Sequence, residues 1–289
     1  MTAASAAPAL AAAATRPIDV FHCSDLHFGH PAVPEQYEAI ETLIQERRFA
    51  VVVISGDLTQ RSRAGEFQRA RAFIKHAERV SKVIVVPGNH DVAWWFSPLG
   101  MGDDRKLLRK YRQYISDDIE PVLRIPGATF VGLNTCHGII RQTLTWNLRD
   151  LAIIGYLRDA QIQRAAAEFA KSPASDARVV VMHHNPVKGE LSQRHGLRNT
   201  NRILGAFADM GVDLVLCGHD HQEAVHFIEH TKKGTVISTA GTISNRARGG
   251  RPSSVNSIRI TQKDIDIHTV IWSQDTRSFK PGPAQCFDR

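Results

Sequence analysis

The stretch "VVVISGDLTQ", residues 51–60, runs four β-branched apolar residues into Ser55, Gly56 and Asp57. A continuous run of that kind belongs to a strand covered on both faces, not to one with a wet side. The polar stop recurs along the chain. "VFHCSDLHFGH" (20–30) and "VIVVPGNHDV" (83–92) repeat it, as do "VVVMHHNPV" (179–187) and "LVLCGHDHQ" (214–222). Five times an apolar run is released into Asp, Asn or His.

Further apolar runs at 18–23, 129–133, 235–240, 255–260 and 265–271 read as strands. Helical spacing of apolar residues marks the segments between them. Ala39, Ile40, Leu43 and Ile44 predict a helix over 34–48, and Phe67, Ala70, Phe73, Ile74 and Ala77 predict one over 64–79. A third spans 159–171 with Asp159 as N-cap, and 198–209 is a further candidate. Strand, helix and strand alternating at intervals of about thirty residues is the βαβ unit, with a mainly parallel sheet. The last hundred residues or so turn strand-rich, which predicts antiparallel additions and mixed sheets. Parallel strands from successive units end at one edge, where ligand sites gather. The five polar terminations therefore converge in space.

With 289 residues, 43% hydrophobic and 22% charged, the chain has the composition of a soluble globule. No linker or periodic repeat divides it, so a single domain is expected over 18–289. Residues 1–17 are Ala-rich, without acid, and read as a flexible tail. They lack the basic start and strongly apolar middle of a secretory signal, and no other stretch approaches a membrane span. A cytoplasmic protein is expected. Cys23, Cys136, Cys217 and Cys286 lie far apart with no CxxC pair, so neither a disulfide framework nor a cysteine zinc site is indicated. The net charge of +7 suits an anionic partner. Scattered basic residues and the lack of a recognition motif argue against nucleic acid. Phosphate-bearing metabolites and lipid head groups at a membrane periphery remain.

The residues that converge are Asp25, His27, Asp57, Asn89, His90, His183, His184, His219 and His221. Asp25/His27 and His219/His221 are each two apart, a spacing that turns both side chains the same way in extended chain. Carboxylate, imidazole and amide oxygen without thiolate suit borderline divalent metals. Singly, each is an ordinary turn or capping residue. Five coincidences at one topological place are not ordinary.

In order, "DLH", "GDLT", "GNHD", "MHH" and "GHDH" resemble the motif set of the calcineurin-like metallophosphoesterases, over roughly residues 20–221. The resemblance implies a four-layer α/β/β/α sandwich of two mixed β-sheets flanked by helices, with a dinuclear metal site. Carried over by position, Asp25, His27 and His221 hold one metal, Asn89, His183 and His219 hold the other, and Asp57 bridges them. The ions expected are Mn, Fe or Zn. The implied reaction is phosphodiester hydrolysis by a metal-bridging hydroxide, since two cations clamp phosphoryl oxygens and acidify the water between them. His90 takes the family's proton-donating role toward the leaving group. His184 either faces substrate or packs; Asp91 is read as closing the turn.

Within the family, "GDLTQRS" lacks the second acid of the protein Ser/Thr phosphatases, and "GNHD" departs from the GNRD of UDP-diacylglucosamine diphosphatases. Residues 222–289 look like strands completing a sheet instead of a DNA-facing cap. The chain most resembles the bacterial class III cyclic-nucleotide phosphodiesterases, which act on small diesters and often form homodimers. A nucleotide-lipid pyrophosphatase is the alternative enzyme, and a scaffold without catalysis is the alternative class; the seven filled ligand positions favour the enzyme. Trp94, Trp95 and Phe96 follow GNHD, and a basic amphipathic helix is expected over 104–115. Residues 94–118 are thus a candidate substrate lid, with Trp94 and Trp95 contacting substrate, or else aromatics packed on the sandwich. The basic stretch "SNRARGGRPSS" (244–254) is expected to be a surface turn, and His195 a loop residue.

Overall fold

Alternation along adjacent strands decides how the layers form. Val20, Val51 and Val53 point into one apolar cluster, while Phe21, Val52 and Ile54 point into another. Successive side chains of a strand face opposite ways, so a strand apolar on both faces must be sandwiched. The structure, a computed structural model, describes residues 16–93, 104–143, 153–190, 196–230 and 233–289.

In the first sheet β1 (Ile18–Cys23), β2 (Val51–Ile54) and β3 (Lys82–Val85) pair in parallel. β10 (Ser254–Ile260), β11 (Asp264–Ser273) and β12 (Ser278–Asp288) continue it antiparallel, giving the order β12-β11-β10-β1-β2-β3. The second sheet has a parallel centre of β5 (Ala128–Leu133), β6 (Ala177–His184), β7 (Leu214–Gly218) and β9 (Thr235–Thr239). Antiparallel β4 (Val122–Ile125) and β8 (Ala224–Ile228) close its edges. Both sheets are mixed, as expected, but the parallel strands fill one side of the first sheet, ending at the edge strand β3, and the middle of the second.

The inner faces share a core of Val20, Val53, Ile84, Phe130, Val179, Leu214 and Ile258, among others. Outside the first sheet, α1 (Pro34–Arg47) and α2 (Ala64–Glu78) bury Ile40, Ile44, Phe67 and Phe73 on Phe21 and Ile54. Outside the second, α5 (Asp159–Ala170) and α6 (Thr200–Asp209) bury Ala165, Phe169, Ile203 and Phe207 on Val180 and Val215. The result is the α/β/β/α sandwich.

Local details differ from the sequence reading. The third helix starts at Asp159 itself, with Arg158 at the N-cap and its N–H donating to Gln161 Oε1 at 2.8 Å. The expected helix over 104–115 is two short ones, α3 (Asp104–Leu107) and α4 (Arg109–Tyr114), interrupted at Leu108. Leu107, Leu108 and Tyr111 bury in the outer core of the first sheet, so this part of the expected lid packs on the sandwich. Residues 94–103, with Trp94, Trp95 and Phe96, lie outside the described residues, as does His195.

Candidate metal centre

The ends of β1, β2, β6 and β7, with the turn after β3, deliver the polar residues to one place. Their backbone is unusual there. Asp25, His27, Asp57, His219 and His221 all have φ between 46 and 74°. Non-glycine residues avoid this left-handed region, and where they occupy it the surrounding structure enforces the strain, most often at functional sites. It turns the side chains inward from strand ends that otherwise lead away.

Two clusters result. In one, His221 Nε2 lies 3.0 Å from His27 Nε2 and 3.1 Å from Asp25 Oδ1, and Asp57 Oδ2 lies 3.8 Å from His27 Nε2. In the other, Asn89 Oδ1 lies 3.0 Å from both His183 Nε2 and His219 Nδ1, and Asp57 Oδ1 lies 3.4 Å from His183 Nε2. Asp57 offers one oxygen to each cluster. The structure thus brings together the residues that motif order grouped, and His184 stands with His183 and His219 in the second cluster. His184 is buried, its Nδ1 hydrogen-bonded to Thr135 Oγ1 at 2.7 Å and its ring 4.5 Å from that of His219.

These donors fit a cation and little else. His183 Nδ1–H donates to the Ser55 carbonyl at 2.9 Å, and His221 Nδ1–H donates to the Arg246 carbonyl at 3.3 Å. Each bond fixes the tautomer and leaves a bare lone pair on Nε2. Those lone pairs face carboxylate and amide oxygens that also lack a hydrogen. Asp25 Oδ1 is wholly buried and accepts no hydrogen bond. Acceptors crowded on acceptors in a dry interior are repulsive unless positive charge lies between them.

Protonation favours ligation too. Burial pushes the imidazoles of His27 and His219 down, that of His219 to about 3, so both are neutral. Burial alone raises Asp25 and Asp57, but His221 beside the first and His183 beside the second hold both carboxyls below the ordinary range. His183 differs: burial pushes it down, yet the Asp57 carboxylate brings it up to about 9. A proton there occupies the place a cation would take.

The model of the calcineurin-like phosphoesterase family matches residues 18–223, most of the chain. The chain belongs to that family. Its buried His/Asp site is intact, as expected of a metal-dependent phosphoesterase with two adjacent metal positions. No curated protein sequence is a significant match. Among solved structures, a purple acid phosphatase from yellow lupin (Lupinus luteus) seeds is similar at 10% identity with a TM-score of 0.70. That match covers 95% of this chain but only 54% of the lupin chain. A dimetal phosphatase from Danio rerio is similar at 13% identity and a TM-score of 0.65, covering 94% of this chain and 98% of its own. GAP50, the anchor in the inner membrane complex of Plasmodium, is similar at 14% identity and a TM-score of 0.55, over 94% and 89% of the two chains. At such identities these likenesses show the fold alone. Among the described residues no helix is long and apolar enough to cross a membrane.

Around these side chains sit His90 and Asp91 of the GNHD motif, and Arg246, which no motif singled out. His90 Nδ1–H donates to the Gln60 carbonyl at 2.8 Å, and its backbone N–H donates to Asp57 Oδ1 at 2.8 Å. Its Nε2 faces Arg246 Nη1 at 3.2 Å. The segment expected to be a surface turn therefore reaches the centre. Asp91 does more than close its own turn. Its carboxylate accepts from the N–H groups of Gly88, Leu58 and Thr59, tying the GNHD and GDLT loops together. Beside His219 a cavity of about 490 Å³ opens, walled by Ile153, Ile154, Leu197 and Asn185, with Arg198 and Arg248 also lining it.

Proposed function

We propose that this chain is a phosphodiesterase acting on a small diester, such as a 3′,5′-cyclic nucleotide. The observation that carries the reading is the shared Asp57, whose two oxygens face two separate, buried ligand sets. A pair of divalent cations (Mn, Fe or Zn) held by Asp25, His27, Asp57, Asn89, His183, His219 and His221 supplies positive charge to phosphoryl oxygens and a nucleophile at neutral pH.

The chain's own residues do the rest. Asn89 and His90 sit in one short helical turn, so the ligand and the proton donor move as a unit. The Gln60 carbonyl and the Asp57 carboxylate fix the ring and backbone of His90 with Nε2 presented to the site. When Nε2 carries a proton, it passes that proton to the departing alkoxide oxygen. His90 then returns to the neutral form with hydrogen on Nδ1.

Shape supports this choice of substrate class. The described residues of 222–289 complete the two sheets as β8 to β12 and build no further domain, only the segment after β9 crossing the centre. The cavity beside His219 falls in the range of small-molecule sites. Its apolar patch of Ile153, Ile154 and Leu197, set among polar residues and the arginines Arg198, Arg202 and Arg248, suits a nucleoside monophosphate moiety. In this reading the protein works in the cytoplasm, and His184 supports the wall on which substrate rests.

The test is a panel of bis(p-nitrophenyl) phosphate, p-nitrophenyl phosphate, cyclic nucleotides and a nucleotide-diphosphate lipid, run on the metal-loaded chain. Turnover of the diesters, with cyclic nucleotides preferred, supports the reading. Preference for the nucleotide lipid replaces it with the pyrophosphatase. Silence on all four, with metal bound, leaves a scaffold.

A further inference from the structure

Arg246 is out of place for a surface arginine. Its Nη1 lies 3.1 Å from Gln60 Oε1, 3.2 Å from His90 Nε2 and 3.5 Å from His27 Nδ1. Arg251, five residues on, pairs with Glu223 at 3.3 Å, and Arg259 pairs with Asp19 at 2.8 Å. Among the described residues no carboxylate makes such a pair with Arg246. A half-buried guanidinium is thus held by Gln60 Oε1 and His90 Nε2 without a carboxylate partner, at the edge of the candidate metal centre. His27 Nδ1 beside it carries the hydrogen when Nε2 faces a metal.

Neutral acceptors are poor final partners for a guanidinium. Its planar fork matches a phosphoryl group, and hydrogen bonds with both partners charged are about twice as strong as neutral ones. His90 Nε2 gains from an exchange as well. While it accepts from Arg246 it is blocked from the leaving group. Once the guanidinium turns to an anion, Nε2 is released.

The position of the arginine does not depend on its side chain. Asn245 N–H donates to the Pro31 carbonyl at 3.0 Å, and Ala32 bridges to Ser244. Thr242 Oγ1 donates to the Asp25 carbonyl at 2.7 Å, and the Arg246 carbonyl itself accepts from His221. Backbone contacts therefore hold the segment after β9 across the first motif, and a side-chain substitution leaves them in place.

We propose that Arg246 is a catalytic residue that binds the phosphoryl group. Without substrate it rests on His90 and Gln60; with substrate it turns to a non-bridging phosphoryl oxygen and frees His90 Nε2. This rests on the phosphodiesterase reading, but its first readout does not. Binding of inorganic phosphate to the metal-loaded chain is measured by calorimetry for wild type, Arg246→Ala and Arg246→Lys, with metal content determined for each.

Loss of one charge-assisted bond predicts phosphate binding about 10- to 100-fold weaker in Arg246→Ala. Arg246→Lys falls between, because a point charge replaces a fork. Metal per chain stays at the wild-type value in both. On bis(p-nitrophenyl) phosphate both variants lose kcat as well as raising KM. Phosphate affinity within twofold of wild type in both variants overturns the proposal. So does metal loss matching the loss of affinity, which makes the residue a prop for His221. Failure of wild type to bind phosphate at all overturns it too. A wild type that binds phosphate but turns over no diester sinks only the phosphodiesterase reading, and the calorimetry still decides the role of Arg246.

Discussion

Gly88→Ala is the smallest change that should dismantle the centre. Gly88 has φ −105°, a value any residue adopts, so its need for glycine is a matter of space. A Cβ built there meets Asp57 N and Oδ1 at 2.1 Å and Asp57 Cα at 2.7 Å. Two of those three atoms are backbone and cannot rotate away. Overpacking in a tight interior costs roughly 1–3 kcal/mol, and the fixed obstacle puts this case at the upper end. At about 2–4 °C per kcal/mol, the melting temperature should fall by about 6–12 °C. The strain is relieved by moving the GNHD and GDLT loops apart, which draws Asp57 away from both ligand sets, so bound metal should fall as well. Gly65→Ala is the control. Gly65 lies in the first turn of α2 with nothing within 4 Å of its built Cβ, so the same added methyl should be neutral or stabilise by up to about 1 kcal/mol. Thermal melts and elemental analysis of the two metal-loaded variants decide it. If Gly88→Ala keeps its full metal content and melts within about 2 °C of wild type, the close-approach argument is wrong.

Other substitutions separate the roles. Asp57→Ala should empty both metal positions, because its two oxygens serve both sets, while His90→Ala should keep the metal and lower turnover by about 10²–10⁴-fold. Equal metal loss in the two variants refutes that division. Asp91→Asn keeps the shape but turns an NH₂ toward buried backbone donors. With one or two of these left unpaired, it should lower stability by roughly 2–5 kcal/mol, read from denaturant melts at constant metal. An unchanged midpoint means those loops are held together by something else.

The sandwich was legible because its cause is local. Runs such as Val51–Ile54 and Val179–Met182 are apolar on both faces, and no arrangement but a covered sheet satisfies them. The edge strands β4, β8 and β12 were not legible. Val122–Ile125 and Ala224–Ile228 are half-exposed, and β12 carries Pro281 and Pro283, residues that suit an edge and hide its pattern. The break at Leu108 was hidden for a related reason: consecutive leucines read as one helical stripe, although both bury among the same core side chains.

At the centre the same division holds between what an atom is and where it is put. The candidate ligands stood out because each is a side chain of metal-binding type in the turn after an apolar run. The left-handed turns that aim them did not, since no rule of composition predicts φ near 50° for an aspartate or a histidine. Arg246 was hidden more thoroughly. It lies 156 residues from His90 in the chain, in a stretch rich in the residues of ordinary turns. Only the path of the backbone after β9, pinned at Pro31 and Ala32, brings it over the site. Sequence names the groups that chemistry obliges to meet, whereas a residue recruited by the route of a loop becomes visible only when that route is known. If Arg246→Ala binds phosphate as wild type does, the loop brings that arginine close to the centre without giving it work there.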